Sequence, residues 1–341
     1  MILNDGNSLQ FQSFFREVCM SFNWIKNAVT VAAAICATAS FAMTQEEGKG
    51  SINWTGGYIS AVGFGTAKST GNKAKDQIMA KRAAEVVAHR TLLETIKGVK
   101  IDSVTTVENL ALVEDKIKSR VEGIVKGAQI IDSKVDWVDG SPLATVEMRV
   151  CLNGEIAGCK GNGLIGALDL ERHKEPAHVP AECMIMSKPL PVANAIAEVA
   201  QSAAQQQVAP TQQNERKRNI PVYDSNRKVT GVVFNLEGRY FEREVLPVVV
   251  TKTDNSMITV YCVKNVKPAI VRSYGAVRYA DTIEQATKIS NLGDNLLIIS
   301  VADITKENMV IISPEDANIL RQTMMNGNDY LNEAKVVISS N

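Results

Sequence analysis

The sequence predicts an α+β protein of two domains, each with an antiparallel or mixed sheet packed by helices, joined by a long linker. Three observations predict it. The stretch 72–97 lacks Gly and Pro and is rich in Ala, Leu, Glu and Lys, as helices are. Runs of β-branched and apolar residues bounded by turn residues indicate strands on either side of the linker. Between about 156 and 219, glycines, prolines and a stretch rich in Ala and Gln indicate a connection.

The first domain is predicted over 51–155, beginning with a strand at 51–65. The helix 72–97 should be capped by Asn72 and end at Gly98. Its expected buried face, wide enough for a sheet, comprises Met79, Ala83, Val86, Arg90 and Leu93, broadened by Ile78, Leu92 and Ile96. A shorter helix should end at Gly123. Two β-branched runs, 124–138 and 143–152, flank Asp139-Gly140-Ser141-Pro142 and predict an antiparallel hairpin.

The second domain is predicted over 220–341. Strands are expected in VTGVVFNLEG, EVLPVVVT, MITVYCVKNV and AIVRSYGAVRY, a helix in TIEQATKISN, and a strand pair in NLLIISVADITKENMVIIS. Ser313 and Pro314 should begin another helix as N-cap and first residue. The final strand, EAKVVISS, should be docked in a sheet.

Residues 1–42 are interpreted as a secretion signal, with Met20 as an alternative start. Lys26 precedes an apolar run from Ala28 to about Ala39, and Ser40-Phe41-Ala42 offers small residues for cleavage after Ala42. The alternative, a membrane anchor, is disfavoured because the run is shorter than the roughly 20 residues that a span needs. We therefore expect a periplasmic or outer-membrane-associated protein, exported by a cleaved signal. Lipidation at Cys36 is disfavoured because the bulky Ile35 precedes it.

The charge balance limits the classes of partner. Lys plus Arg and Asp plus Glu number 37 each, so no overall field attracts nucleic acid or an anionic membrane. We expect no nucleic-acid partner and at most peripheral membrane contact.

Four cysteines remain after the predicted cleavage. Cys151 and Cys159 flank a Gly-containing loop and are the pair expected to form a disulfide in an exported protein. The alternative is four reduced thiols. Since no C-x-x-C occurs, a zinc-ribbon or thioredoxin-like site is not indicated.

No arrangement of residues predicts catalysis, a cofactor or a metal. His89 is interpreted as structural or on the surface, and His173 and His178 as solvated linker residues. The stretch GCKGNGLIG lacks the Lys-Ser/Thr of a phosphate-binding loop. The carboxylates Asp132, Asp136 and Asp139 alternate along the hairpin and are assigned to its solvent face. We therefore expect a protein without enzymatic activity.

Arg90 lies within the apolar stripe of the long helix. An arginine there can lay its stem on apolar neighbours and offer its guanidinium to a carboxylate. A structural ion pair is the first interpretation, and a subunit contact is the alternative.

The segments AKRAAEVVAHRTLLETIKGVKIDSVTTVEN and RVEGIVKGAQIIDSKVDW, with the opening GSINWTGGYISAVGFGT, carry a family resemblance. Residues 51–155 resemble the outer-membrane lipoproteins of about twenty kilodaltons and the flagellar assembly proteins of the FlgP type. The segments VTGVVFNLEG, GAVRYA, VISPEDANIL and LNEAKVVI look like a companion domain in longer exported members. This chain departs from the lipoprotein members in lacking a good lipobox.

The resemblance implies a non-enzymatic envelope protein that acts through protein–protein contacts, in flagellar or outer-membrane assembly. Its partners would be envelope or flagellar proteins, or further copies of itself. The alternative hypothesis is a periplasmic binding module for a small ligand, glycan or lipid. An envelope hydrolase would need a nucleophile or acid pair that the sequence does not reveal.

Overall fold

The computed structural model describes residues 48–154, 159, 163–174, 176–180, 223–224, 226–253, 256–325 and 327–341. The predicted signal and Ala42 lie outside these residues, as does most of the predicted linker. Gly48–Asn341 forms one compact unit. None of the helices in the described parts is long and apolar enough to cross a membrane. The α+β class is confirmed.

The first half contains a four-stranded antiparallel sheet in the order β1-β2-β4-β3. The single strand predicted at 51–65 is in fact a hairpin of β1 (Lys49–Asn53) and β2 (Tyr58–Thr66). The turn between them contains Gly57 at a positive φ of 65°. The second hairpin, β3 (Gln129–Val138) and β4 (Ser141–Cys151), is confirmed.

The long helix α1 (Lys73–Lys97) packs on this sheet. As predicted, the Asn72 side chain caps it by accepting from the Lys75 N–H, and Gly98 follows its last residue. Ala80, Ala84 and Ala88 are fully buried against β2. A Cβ added at Gly63 or Gly65 would overlap the backbone of α1. Small residues on both sides therefore let the helix and the sheet approach closely. We call this contact the α1 seam.

The predicted buried face of α1 is right at Leu92 and Ile96, which are fully buried, and wrong at its centre. Val86 is 64% exposed and Ile78 is 55% exposed, and Arg90 is exposed as well. The helix also buries Ala80, Ala84 and Ala88, which the predicted face did not include. Close approach to the glycines of β2 requires small side chains, so the larger apolar residues lie to the side.

Two shorter helices follow, α2 (Val107–Val113) and α3 (Asp115–Lys126). The helix end predicted at Gly123 is wrong, because α3 continues to Lys126 and Gly127 ends it. Its residues Ile117, Val121 and Val125 are buried at helical spacing.

Residues 163–180 lie within the stretch that the sequence assigns to the linker. They form α4 (Leu164–Ala167) and a 3₁₀ turn (Leu170–Arg172). Leu164, Leu168 and Leu170 are buried in the same core as both halves. This part of the connection is therefore an integral piece of the packed structure.

The second half contains two further four-stranded sheets. One is parallel, in the order β8-β12-β5-β9, and the other is mixed, in the order β10-β11-β6-β7. The strands are β5 (Gly231–Asn235), β6 (Val249–Lys252), β7 (Met257–Tyr261), β8 (Arg278–Ala280), β9 (Leu296–Ser300), β10 (Asp303–Ile304), β11 (Val310–Ile312) and β12 (Val336–Ser339). The helices are α5 (Pro268–Tyr274), α6 (Ile283–Ala286) and α7 (Pro314–Met325).

Two predictions for the second half have different outcomes. The C-terminal strand is confirmed, since β12 lies between β8 and β5 and every residue of it is buried. The strand expected in AIVRSYGAVRY is wrong over its first part, where α5 forms. Pro268 occupies the start of that helix and Gly275 ends it with a φ of 80°.

One apolar core extends through both halves. It contains Ile59 and Val146 of the first sheet together with Phe234, Tyr261 and Ile338 of the second half. The two halves are thus held together by shared buried apolar surface.

Candidate functional site

The two halves meet where the loop after α1 runs beside the segment before β6. The backbone N–H groups of Val245 and Leu246 donate to the carbonyls of Lys100 and Ile101, at 3.0 and 2.8 Å. Lys100 also pairs with Glu242, Nζ to Oε2 2.6 Å. These bonds align the junction and bring Asp102 close to Glu244.

Asp102 and His173 form a buried pair at this junction. His173 Nε2 donates to Asp102 Oδ2 at 2.5 Å, and the two side chains are 9% and 5% exposed. Asp102 Oδ1 accepts from the backbone N–H groups of Val104 and Thr105, both at 2.9 Å. Burial opposes the charge, but the hydrogen bonds from His173 and the backbone hold the pKa of Asp102 below its usual value. Asp102 is therefore a buried, fully hydrogen-bonded carboxylate.

His178 shares a hydrogen bond with Ser103, Nε2 to Oγ 2.9 Å. The neighbouring serine and aspartate thus use different histidines. A nucleophile relay needs one histidine to join serine to aspartate, and these contacts do not make that connection. The assignment of His173 and His178 as solvated linker residues is wrong, because both bond to the loop after α1.

Glu244 is a buried carboxyl group of the junction with one unpartnered oxygen among the described residues. It is 2% exposed, and the oxygen without a hydrogen-bond partner there is Oε2. Burial raises the pKa of Glu244 to about 8, and the negative charge of Asp102 contributes in the same direction. The carboxyl group is therefore mostly protonated at neutral pH.

Asp102, His173, His178 and Glu244 line a chamber of about 10 Å³. A volume of that size holds about one water molecule. Within the described ranges, no group of three or more His, Cys, Asp or Glu side chains is arranged to hold a metal ion. Apolar residues such as Val179, Leu246 and Met309 complete the lining of the chamber.

A larger cleft, of about 250 Å³, opens at another part of the junction. Trp54, Tyr274 and Arg278 line it. Trp54 packs edge-on against Tyr279, with ring centroids 5.3 Å apart. The Arg278 guanidinium lies 5.4 Å from the Tyr274 ring centroid and donates to the Ala334 carbonyl at 2.8 Å. The described lining of the cleft thus combines aromatic side chains with Arg278, which already has partners, and with the carboxyl group of Glu244.

The exposed strand β3 is a surface of a different kind. Nine of its ten residues are exposed, and Val135 is half-buried. Ile130, Ile131, Trp137 and Val138 are 49%, 46%, 37% and 51% exposed. β3 is an edge strand, and no strand among the described residues pairs with its outer side.

The structure places the other residues singled out from the sequence as follows. Cys151 and Cys159 are joined by a disulfide, with Cα atoms 6.0 Å apart, and Cys262 is disulfide-bonded as well. His89 Nδ1 bonds the Glu85 carbonyl of its own helix at 2.9 Å. Asp132, Asp136 and Asp139 are exposed, as assigned.

Arg90 makes no hydrogen bond or ion pair with the residues that the structure describes, so the internal ion pair expected for it is not present there. Its exposure leaves the subunit contact as a prediction.

The contacts of the junction could not be predicted from the sequence. The pairs Asp102–His173 and Ser103–His178 are separated by 71 and 75 positions, so no local pattern joins them. The sequence shows the two histidines of HKEPAH, but it does not indicate that Asp102 and Ser103 are their partners.

Comparison with known proteins identifies part of the second half. Residues 231–341 match the family model of the second domain of Treponema pallidum Tp0624. No curated protein matches the chain. The match covers less than half of the chain and extends from β5 to the C-terminus. The resemblance of residues 51–155 to outer-membrane lipoproteins and flagellar assembly proteins remains a prediction.

Proposed function

We propose that this is an exported envelope protein that acts by contact with other proteins and not by catalysis, in outer-membrane or flagellar assembly. The observation that carries this proposal is the exposed outer edge of β3. Soluble proteins usually cover such an edge or protect it with charges, because its free N–H and C=O groups accept another strand. Among the described residues no strand pairs with the outer edge of β3, and the strand exposes four large apolar side chains beside the charged Asp132, Lys134 and Asp136.

Two features support the exported location. The segment ending at Ala42 has the charge, apolar run and small residues of a cleaved signal. The described part of the chain also contains the Cys151–Cys159 disulfide and a disulfide-bonded Cys262. Disulfides persist in oxidising compartments such as the periplasm.

Photo-cross-linking in cells tests the proposal. A photoreactive residue at Ile130, on β3, should give protein adducts in the envelope fraction. The same residue at Met325, which is 62% exposed but lies on α7 in the second half, is the matched control and should give none. Absence of adducts from Ile130, or recovery of the protein from the cytoplasm with its signal intact, would refute the proposal.

The cleft favours a second candidate function, a periplasmic binding module for a glycan or another small ligand. Trp54 and Tyr274 line the cleft, and ligand sites commonly combine aromatic side chains with a few polar groups. A Trp137→Phe variant of the cleaved protein retains Trp54 as its tryptophan. Titration of this variant with cell-wall glycan fragments should change its fluorescence if the cleft binds them. Unchanged emission at millimolar ligand would count against this function.

A further inference from the structure

We propose that β3 pairs antiparallel with β3 of a second copy of this chain, about a two-fold axis at Val135. This proposal rests on the proposed function and names the partner at that edge. The pairing would join the two four-stranded sheets into one continuous sheet.

The hairpin turn determines which backbone groups of β3 point outward. Asp139 and Gly140 form a two-residue turn with φ of 50° and 77°, as in a type I′ turn. In such a hairpin the two residues that flank the turn, Val138 and Ser141, hydrogen-bond to each other through their backbones. Along the two strands, hydrogen-bonded and non-hydrogen-bonded residue pairs then alternate. Trp137 then faces Pro142 in a non-bonded pair, which suits a residue without an N–H.

Because of this alternation, the even-numbered residues of the segment 132–138 bond to β4. The N–H and C=O groups of Ser133, Val135 and Trp137 point outward and are free to bond a new strand. In a pairing centred on Val135, the two copies of that residue bond each other. Ser133 then bonds the partner's Trp137, and Trp137 bonds the partner's Ser133.

The charged residues of β3 favour a two-fold axis at Val135 over an axis at a neighbouring residue. With the axis at Val135, Lys134 lies opposite the partner's Asp136, and the symmetric contact repeats the pair. These residues form non-bonded pairs, in which the Cα atoms are only about 4.5 Å apart and side chains interact best.

The neighbouring centres are disfavoured. An axis at Lys134 brings two lysines together and Asp132 against the partner's Asp136, and an axis at Asp136 brings two aspartates together. Like charges directly opposite each other destabilise a strand pair. An axis at Ser133 would require pairing across the bulge at Ile131.

The side chains on the opposite face of the strand also fit. On that face the pairing places Val135 against the partner's Val135 and Trp137 against the partner's Ser133. The small serine leaves room for the indole ring, and the pairing covers exposed apolar surface. The segment 132–138 is regular throughout, since the bulge lies outside it.

Charge reversal tests the pairing. The purified, signal-cleaved protein should sediment as a dimer at micromolar concentration. Lys134→Asp and Asp136→Lys should each weaken self-association by at least about tenfold, because each replaces two attractive pairs by two repulsive ones. The double variant should dimerise again.

Mixing the two single variants gives the sharpest result. The Lys134→Asp chain presents two aspartates and the Asp136→Lys chain two lysines, so the mixture should form heterodimers although each variant alone is monomeric. Circular dichroism of each variant shows whether it is folded. A folded mixture that remains monomeric would overturn the proposal, as would a wild-type protein that is monomeric throughout.

Two further variants test the register and the backbone bonds. Asp132→Lys changes a charge opposite the partner's Val138 and should leave dimerisation unchanged. Loss of dimerisation in the Asp132→Lys variant would refute a register centred on Val135. Val135→Pro removes an outward N–H without touching the bonds to β4, so the protein should fold as a monomer. Cross-links from Ile130 to other proteins, together with a monomeric wild type, would overturn the pairing but not the proposed function.

Discussion

The α1 seam and the junction around Glu244 are both buried, but they are built in opposite ways. The seam consists of alanines on glycines and has no charged group at its centre. The junction buries two carboxyls and a histidine within a small chamber. The seam therefore depends on shape, whereas the junction depends on protonation and hydrogen bonding.

The comparison shows what each region tolerates. A close-packed seam has no space for an added methyl group where backbone faces backbone. A polar junction tolerates changes of shape better than changes of charge, because an unpaired buried charge is costly. Substitutions in the two regions should accordingly respond to different variables, side-chain volume in one and pH in the other.

The largest effect is expected at the seam. Gly63→Val would place side-chain atoms against the backbone of Ala84 and Ala88. We expect a loss of about 4 kcal/mol or more in the free energy of unfolding, measured by urea denaturation. Gly123→Ala, in an open position on α3, is the matched control and should stabilise by about 0.5–1 kcal/mol. Equal stability of Gly63→Val and the wild type would show that the seam is loosely packed.

An intermediate effect is expected at the junction. The pKa of Glu244 is raised from 4.5 to about 8, so its contribution to stability is complete below pH 4.5 and is lost as the pH rises towards 8. Glu244→Gln keeps the shape and removes the titration. The variant should match the wild type near pH 4 and exceed it by roughly 3 kcal/mol at pH 7. Parallel stability curves for the two proteins between pH 4 and 8 would contradict a buried, neutral Glu244.

The smallest effect is expected on the opposite side of α1 from the seam. Val86 was expected on the buried face, where a charge would cost several kcal/mol, but it is 64% exposed. Val86→Asp should therefore change the free energy of unfolding by no more than about 0.5 kcal/mol in thermal or urea denaturation. A loss of several kcal/mol would mean that this side of α1 is covered, as in a subunit contact that includes Arg90.

The sequence by itself determined the features that local chemistry controls. The cap at Asn72, the end of α1 at Gly98 and the Asp139-Gly140 hairpin all follow from residues close together in the chain. The α+β class and the buried C-terminal strand follow from patterns of the same range.

Only the tertiary structure decided which face of α1 is buried and which residues meet at the junction. Apolar side chains occur on several sides of α1, so its pattern alone does not define an inward face. Gly63 and Gly65 of β2 define the inward face of α1, because the close contact with them leaves room only for alanine side chains. Likewise, Asp102 and His173 become partners because the core brings together segments 71 positions apart. A contact between segments so far apart leaves no periodic pattern in the sequence.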